Sequence, residues 1–134
     1  MVQKLIIDTD PGIDDAMAIH MAFADARIEA VGLTTIFGNV TTKQATRNAL
    51  HLSQMAHYPV DVAHGADRPL TREPHPPADF VHGPEGFGGL PAPDVETAPD
   101  PRDAARYLCE TCAAAPGEII ICAVGPLTNL AAAL

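Results

Sequence analysis

Apolar residues are grouped along the chain in two ways, which predict alternating strands and helices. Short runs rich in Ile and Val, such as Leu5–Ile7, are typical of buried parallel strands. Longer stretches, such as Ile13–Ala24, are apolar on nearly all sides, as in a helix packed against a sheet. The predicted strands are Leu5–Ile7, Ile28–Ile36, Val60–Ala63 and Glu118–Val124, and the predicted helices are Ile13–Ala24, Thr41–Ala56 with Thr41 or Thr42 as N-cap, Asp103–Ala115, and one opened by Gly125-Pro126.

This alternation predicts an α/β fold: a single domain over residues 1–134 with a mainly parallel, open, Rossmann-like sheet and helices on both faces. Ligands of such sheets bind beyond the carboxyl ends of the strands. Three polar or glycine-containing segments follow predicted strands, namely Asp8–Asp10, Gly38-Asn39 and Val124-Gly125. We therefore expect these segments to converge on one crevice.

One long segment, residues 65–101, has neither a helical nor a strand periodicity. Ten of the 13 prolines lie in it or beside it. Long loops of this kind in compact domains are usually functional or disordered. Its glycine-rich part, residues 82–89, could move as a lid.

The charge of the chain limits its partners. The net charge of −9 argues against nucleic acid and against an anionic membrane surface, because both attract Lys and Arg. No apolar run approaches the roughly 20 residues of a membrane span, and no secretory segment opens the chain. Three cysteines without such a segment indicate a reducing, cytoplasmic environment, and the pair Cys109 and Cys112 predicts buried helical thiols rather than a zinc site.

Four carboxylates lie within eight residues, at Asp8, Asp10, Asp14 and Asp15. Two like charges about 4 Å apart repel by about 4 kcal/mol at an effective dielectric of 20. Crowded carboxylates must therefore hold protons or a cation, and hard oxygen ligands at an irregular site suit Ca²⁺ best and Mg²⁺ second. The alternative is that these residues form helix caps and a solvated turn.

Several motifs together resemble one family, the inosine-uridine-preferring nucleoside hydrolases. The first runs from Leu5 to Ala16 and contains Asp8-Thr9-Asp10-Pro11-Gly12-Ile13-Asp14-Asp15. The resemblance continues, in family-like order and spacing, through Val31–Thr35, Gly38-Asn39, Thr46–Ala49, His82-Gly83 with Gly86 and Gly88, and Val124–Ala131.

The resemblance implies hydrolysis of the N-glycosidic bond of ribonucleosides to ribose and free base. It implies that Asp10 binds Ca²⁺ and acts as general base toward a calcium-bound water, with Asp15 and the backbone carbonyl of Val124 as further ligands. It also implies contacts of Asp14 with the water or a ribose hydroxyl, of Asn39 with the same site, and of His82 with the nucleobase. A turn role for His82 is the alternative, and Asp8 is expected to organise the turn.

The chain stops within an apolar helix at Leu134, whereas family members are more than twice as long. We therefore expect the N-terminal part of a single hydrolase domain, with poor hydrolysis and weak metal affinity on its own, from a family that commonly forms homo-oligomers. An inactive fragment or interaction module is an alternative. A haloacid-dehalogenase-type phosphatase, suggested by Asp8-Thr9-Asp10, is a weaker one, since that motif has Thr or Val where Gly12 stands.

Overall fold

Strands and helices alternate along residues 2–134, which are the residues that the computed structural model describes. Four parallel strands form one sheet in the order β3-β2-β1-β4. The elements are β1 (Gln3–Thr9), α1 (Ile13–Ala24), β2 (Ile28–Thr35), α2 (Thr42–Met55), β3 (Val62–Ala63), α3 (Asp79–His82), α4 (Ala104–Ala114), β4 (Ile119–Ala123) and α5 (Thr128–Ala133).

The register of the sheet aligns the carboxyl ends of its strands. Asp8 of β1 lies opposite Thr34 of β2 on one side and Ala123 of β4 on the other. The segments that follow these strands therefore leave the same edge of the sheet. The predicted α/β class, with a parallel open sheet between helices, is confirmed.

Each face of the sheet packs against its own helices. On one face, Ile7 and Leu33 pack with Ile19 of α1 and with Leu52 of α2. On the other face, the apolar residues come from β1, β4, α4 and α5, including Ile6, Ile121, Tyr107, Leu108 and Leu130. Since α1 directly follows β1, this packing fixes the turn between them.

Some predicted boundaries were wrong. The third strand begins at Val62 rather than Val60, and residues 65–101 contain the short helix α3. The last helix begins at Thr128 rather than at Gly125-Pro126. The reason is that the N–H groups of Val124 and Gly125 both donate to the carbonyl of Asp8, at 2.9 and 3.4 Å, which holds these residues against β1.

The side of β4 that faces away from α4 and α5 is open among residues 2–134. Ile120, Cys122 and Val124 are exposed there, as is Met21 on the neighbouring helix α1.

Cys109 of α4, predicted to be buried, is exposed. None of the helices in the described part of the chain is both long and apolar enough to cross a membrane.

A carboxylate-lined candidate active site

A tight turn connects the end of β1 to the start of α1. Gly12 precedes α1, and its N–H donates to Asp15 Oδ2 at 3.4 Å. The ring of His82 packs directly on Gly12, so that a methyl group added there would lie 2.6 Å from His82 Nδ1. The turn therefore requires glycine at this position for close packing.

Five of the six predicted site residues line one cavity at the carboxyl edge of the sheet. The cavity has a volume of about 300 Å³. Its polar walls come from the β1–α1 turn and from the segments after β2 and β4, as the sheet topology requires. The lining residues are Asp10, Asp14, Asp15, Ala18, Asn39, Val124, Gly125 and Pro126.

Asp15 is buried and held by three donors. Thr9 Oγ1 donates to Asp15 Oδ1 at 2.6 Å, and Asn39 Nδ2 donates to Oδ2 at 2.9 Å. The Gly12 N–H is the third donor. The three donors come from the end of β1, from the β1–α1 turn and from the segment after β2. Together they fix the orientation of the Asp15 carboxylate.

Asp10 is also buried, with 4% of its surface exposed. The backbone N–H of Asn39 donates to Asp10 Oδ2 at 2.6 Å, which favours the charged form. Burial outweighs this bond and raises the pKa of Asp10 to about 7, and the charge of Asp15 adds to the rise. The carboxyl of Asp10 can therefore gain or lose a proton near neutral pH.

Asp8 lies apart from the cavity. Its side chain is fully buried and accepts hydrogen bonds from Thr34 and Asn129, and burial raises its pKa. Its Oδ2 has no partner among the described residues. A carboxylate with no exposed surface cannot attack a phosphate ester, so the structure argues against the phosphatase alternative.

The separation of Asp8 also changes the predicted metal cluster. Within residues 2–134, no group of three or more His, Cys, Asp or Glu side chains is arranged to hold a metal ion. Asp8 is turned away, and the side chain of Asp14 is 79% exposed at the cavity rim. The carboxylates that the cavity encloses are therefore Asp10 and Asp15.

These two carboxylates fit a hard divalent cation in charge and in donor type. Both are buried, both line the same cavity, and their mutual charge contributes to the raised pKa of Asp10. A divalent cation would offset the cost of burying the charged carboxylates, which is the main cause of this raised pKa, and would also relieve their mutual repulsion. The site thus suits Ca²⁺ or Mg²⁺ better than zinc, since neither His nor Cys lines it.

His82 is the one predicted site residue that does not line the cavity. It ends α3, and its Nδ1 accepts from the N–H of Ile13 at 3.3 Å and lies 3.7 Å from Asp14 Oδ1. It therefore sits behind the β1–α1 turn, next to the rim formed by Asp14.

The glycine-rich segment after His82, predicted as a possible lid, is attached to α2. Asn48 Nδ2 donates to the carbonyl of Glu85 at 2.9 Å and to that of Pro11 at 3.1 Å. Arg47 forms an ion pair of 2.8 Å with the Glu85 carboxylate. These contacts link the segment to the turn that carries Asp10.

Three residues that support the site were not assigned a role from the sequence: Thr9, Asn48 and Asn129. Each lies inside a matching motif, but only the fold brings it to its partner. For Asn129 the available signal was an amide within an apolar helical stretch, since a buried amide must find hydrogen-bond partners.

Comparisons with known proteins agree on one family. The family model described as "Inosine-uridine preferring nucleoside hydrolase" matches residues 5–134. The chain is 52% identical to uridine nucleosidase 1 of Arabidopsis thaliana over 133 residues, which is 98% of this chain and 40% of that protein.

Solved structures resemble the chain over nearly its whole length. A structure described as "Plant nucleoside hydrolase - PpNRh1 enzyme" has a TM-score of 0.93 at 47% identity, covering 99% of this chain and 42% of the other. A purine-preferring ribonucleoside hydrolase from Gardnerella vaginalis has a TM-score of 0.92 at 32% identity, covering 98% and 43%. The chain thus spans about two fifths of the length of the relatives that it matches.

Proposed function

The chain belongs to the inosine-uridine preferring nucleoside hydrolase family, and on that premise we propose that the protein hydrolyses the N-glycosidic bond of ribonucleosides to ribose and a free base. The observation that carries the proposal is the pair of buried carboxylates, Asp10 and Asp15, which Asn39 joins at the carboxyl edge of the sheet. A pair of this kind suits a reaction whose transition state gains positive charge on the sugar.

We propose that Asp10, Asp15 and the backbone carbonyl of Val124 hold Ca²⁺. When bound, the cation supplies positive charge that makes nearby water more acidic. The donor types at the cavity support this choice of ion, with Mg²⁺ as the second candidate.

Asp10 is the proposed general base. Without metal, burial raises the pKa of Asp10 to about 7. A bound cation would lower that pKa and leave Asp10 in the charged form that can take a proton from water near neutral pH. The Asn39 N–H fixes one carboxylate oxygen, so the other is free to be directed toward the reacting water.

Asp14 and His82 are proposed to bind the substrate at the rim. The exposed carboxylate of Asp14 can accept a hydrogen bond from a ribose hydroxyl or from the attacking water. His82 does not line the cavity, but it lies next to the rim, 3.7 Å from that carboxylate, and we propose that it contacts a nucleobase bound beside the β1–α1 turn. Asn39, held between Asp10 and Asp15, is the proposed contact of the sugar on the opposite side.

Uridine is the substrate to test first, because uridine nucleosidase 1 of Arabidopsis thaliana is 52% identical to this chain. Inosine is the second, because a purine-preferring hydrolase also shares the fold. We further propose assembly into homo-oligomers, which the resemblance to the family implies.

The test is ribose release from uridine and inosine by the full-length polypeptide, with Ca²⁺ and with a chelator. We expect calcium-dependent release that falls roughly 10²- to 10⁴-fold in Asp10→Asn, the range typical for loss of a general base. Asp94→Asn makes the same chemical change at an exposed carboxylate and should leave the rate unchanged. Absence of ribose release from both nucleosides at every calcium concentration would contradict the proposal.

A further inference from the structure

A buried amide, Asn129, connects the carboxyl ends of all four strands. It lies near the start of α5, after β4, and is 2% exposed. Its Nδ2 donates to Asp8 Oδ1 at 2.8 Å and to the carbonyl of Thr35 at 2.9 Å, at the ends of β1 and β2. Its Oδ1 accepts from the N–H of Ala66 at 2.9 Å, just after β3.

Three of the four hydrogen bonds that the Asn129 amide can form are therefore made, including both N–H donors, and each goes to a different segment. The surroundings are shaped to admit it, because a methyl group added at Gly65 would overlap both the amide of Asn129 and the carbonyl of Thr35. A buried amide whose two donors and whose oxygen all have partners specifies one arrangement of its neighbours.

The segment between β4 and Asn129 is attached to Asp8 at both of its ends. At the first end, the N–H groups of Val124 and Gly125 donate to the Asp8 carbonyl. At the second end, Asn129 donates to the Asp8 carboxylate. Residues 124–129, which include the first two residues of α5 and are called the loop 124–129 below, are thus fixed to the strand that leads into Asp10.

This loop forms one wall of the carboxylate-lined cavity. Val124, Gly125 and Pro126 line the cavity, and a methyl group added at Gly125 would lie 2.8 Å from Asp10 Oδ1. A displacement of the loop by an ångström would therefore change the surroundings of Asp10 directly. Asn129 itself does not line the cavity, so any effect that it has on the site acts through these neighbours.

We propose that Asn129 is a positioning residue, which sets the loop 124–129 and the ends of β1 and β2 in the arrangement that the cation and the sugar require. This role of Asn129 rests on the proposed function where it is measured by calcium binding. The claim that Asn129 fixes the position of Val124 and Gly125 relative to Asp8 does not depend on that function.

The decisive variant is Asn129→Asp, which keeps the shape and the acceptor for Ala66 but replaces the donating NH₂ group with oxygen. Gln54→Glu is the matched control, since it makes the same amide-to-acid change and keeps an acceptor for the N–H of Glu96. The reversed pair, Asp8→Asn with Asn129→Asp, restores a donor and an acceptor between the two positions. If Asn129→Asp does not fold, Asn129→Ser removes the donating amide without adding a charge.

Two measurements are made on each variant: calcium affinity by calorimetry, and hydrogen exchange of the Val124 and Gly125 amides without metal. We expect Asn129→Asp to weaken calcium binding at least tenfold and to speed exchange of both amides at least tenfold. The reversed pair should recover part of both effects, and Gln54→Glu should change neither.

The outcomes separate this inference from the proposed function. Wild-type affinity in a folded Asn129→Asp variant, with unchanged exchange at Val124 and Gly125, would overturn the inference. If the unaltered protein binds no calcium, the proposed cation site fails. The exchange rates then decide alone, faster exchange in Asn129→Asp supporting the positioning role and unchanged exchange refuting it.

Discussion

The side-chain amide of Asn39 donates to the carboxylate of Asp15 at 2.9 Å. The backbone N–H of the same residue donates to Asp10 at 2.6 Å. Asn39, in the segment that follows β2, therefore bridges two buried carboxylates, one just after β1 and the other in the first turn of α1. This bridge explains how like charges are held together at the floor of the cavity.

Replacing this bridge with a third carboxylate should destabilise the protein. In Asn39→Asp the amide donor to Asp15 is lost and a further negative charge enters the cavity. We expect the free energy of unfolding without metal to fall by about 1–3 kcal/mol at pH 7, the range for leaving a buried polar group unsatisfied. Chemical denaturation measures it.

Asn39→Ala is the control for this prediction, because it removes the donor without adding charge. Calcium should restore more stability to Asn39→Asp than to Asn39→Ala, since it neutralises the added carboxylate. Equal restoration in the two variants would show that charge repulsion is not what limits this site.

The raised pKa of Asp10 predicts a pH dependence of stability. The native state keeps the Asp10 proton up to a pKa of about 7, whereas the unfolded chain loses it near 3.8. Between these values the native state binds more protons, so the free energy of unfolding falls as pH rises through this window. If the whole difference between these two pKa values is converted into free energy, stability falls by on the order of 4 kcal/mol across the window.

The variant Asp10→Asn isolates this effect, because the other titrating groups are common to both proteins. Without metal, the variant should be the more stable protein at pH 7.5, and its advantage should shrink as the pH falls toward 4. Thermal melting across this range measures the difference. A difference that stays constant with pH would show that the native state does not raise the pKa of Asp10.

Close packing at Gly125 gives a prediction with a matched control. A methyl group at this position would lie 2.7 Å from Ile36 Cγ2 and 2.8 Å from Asp10 Oδ1. We expect Gly125→Ala to lower the free energy of unfolding by about 1–3 kcal/mol, as overpacking does, and to weaken calcium binding. Gly89→Ala places the same methyl group where no atom of the described residues lies within 4 Å.

Calorimetry and denaturation on the two glycine variants give the comparison. Gly89→Ala should match the unaltered protein in both. If Gly125→Ala matches it too, the loop after β4 is not part of the wall of the site.

The sequence was sufficient for the features that depend on local pattern. The Ile- and Val-rich runs predicted the parallel strands, and Thr41 caps α2 by accepting from the N–H of Gln44, as its position before the helix suggested. The topology of a parallel sheet also brought Asp10, Asn39 and Val124 to one edge. That these residues bind calcium and sugar stays a prediction.

The features that the sequence did not predict depend on contacts distant in the chain. Asp8 and Asp10 belong to the same predicted carboxylate cluster, but β1 ends at Thr9, so that Asp10 turns toward Asn39 while Asp8 turns toward Asn129. The late start of α5 follows from the bonds of Val124 and Gly125 to Asp8. Neither the bond between Asn129 and Asp8 nor those from Val124 and Gly125 to Asp8 has a signal in the local sequence. The partners are far apart along the chain, by 121 residues for Asp8 and Asn129.

Calorimetric titration of the protein with Ca²⁺ near pH 7, in two buffers of different ionisation enthalpy, tests most directly whether Asp10 and Asp15 form a cation site. We predict one site whose binding releases a fraction of a proton from Asp10, and loss of both the binding and the proton release in Asp10→Asn. Absence of calcium binding by the unaltered protein, or equal binding by Asp10→Asn, would contradict it.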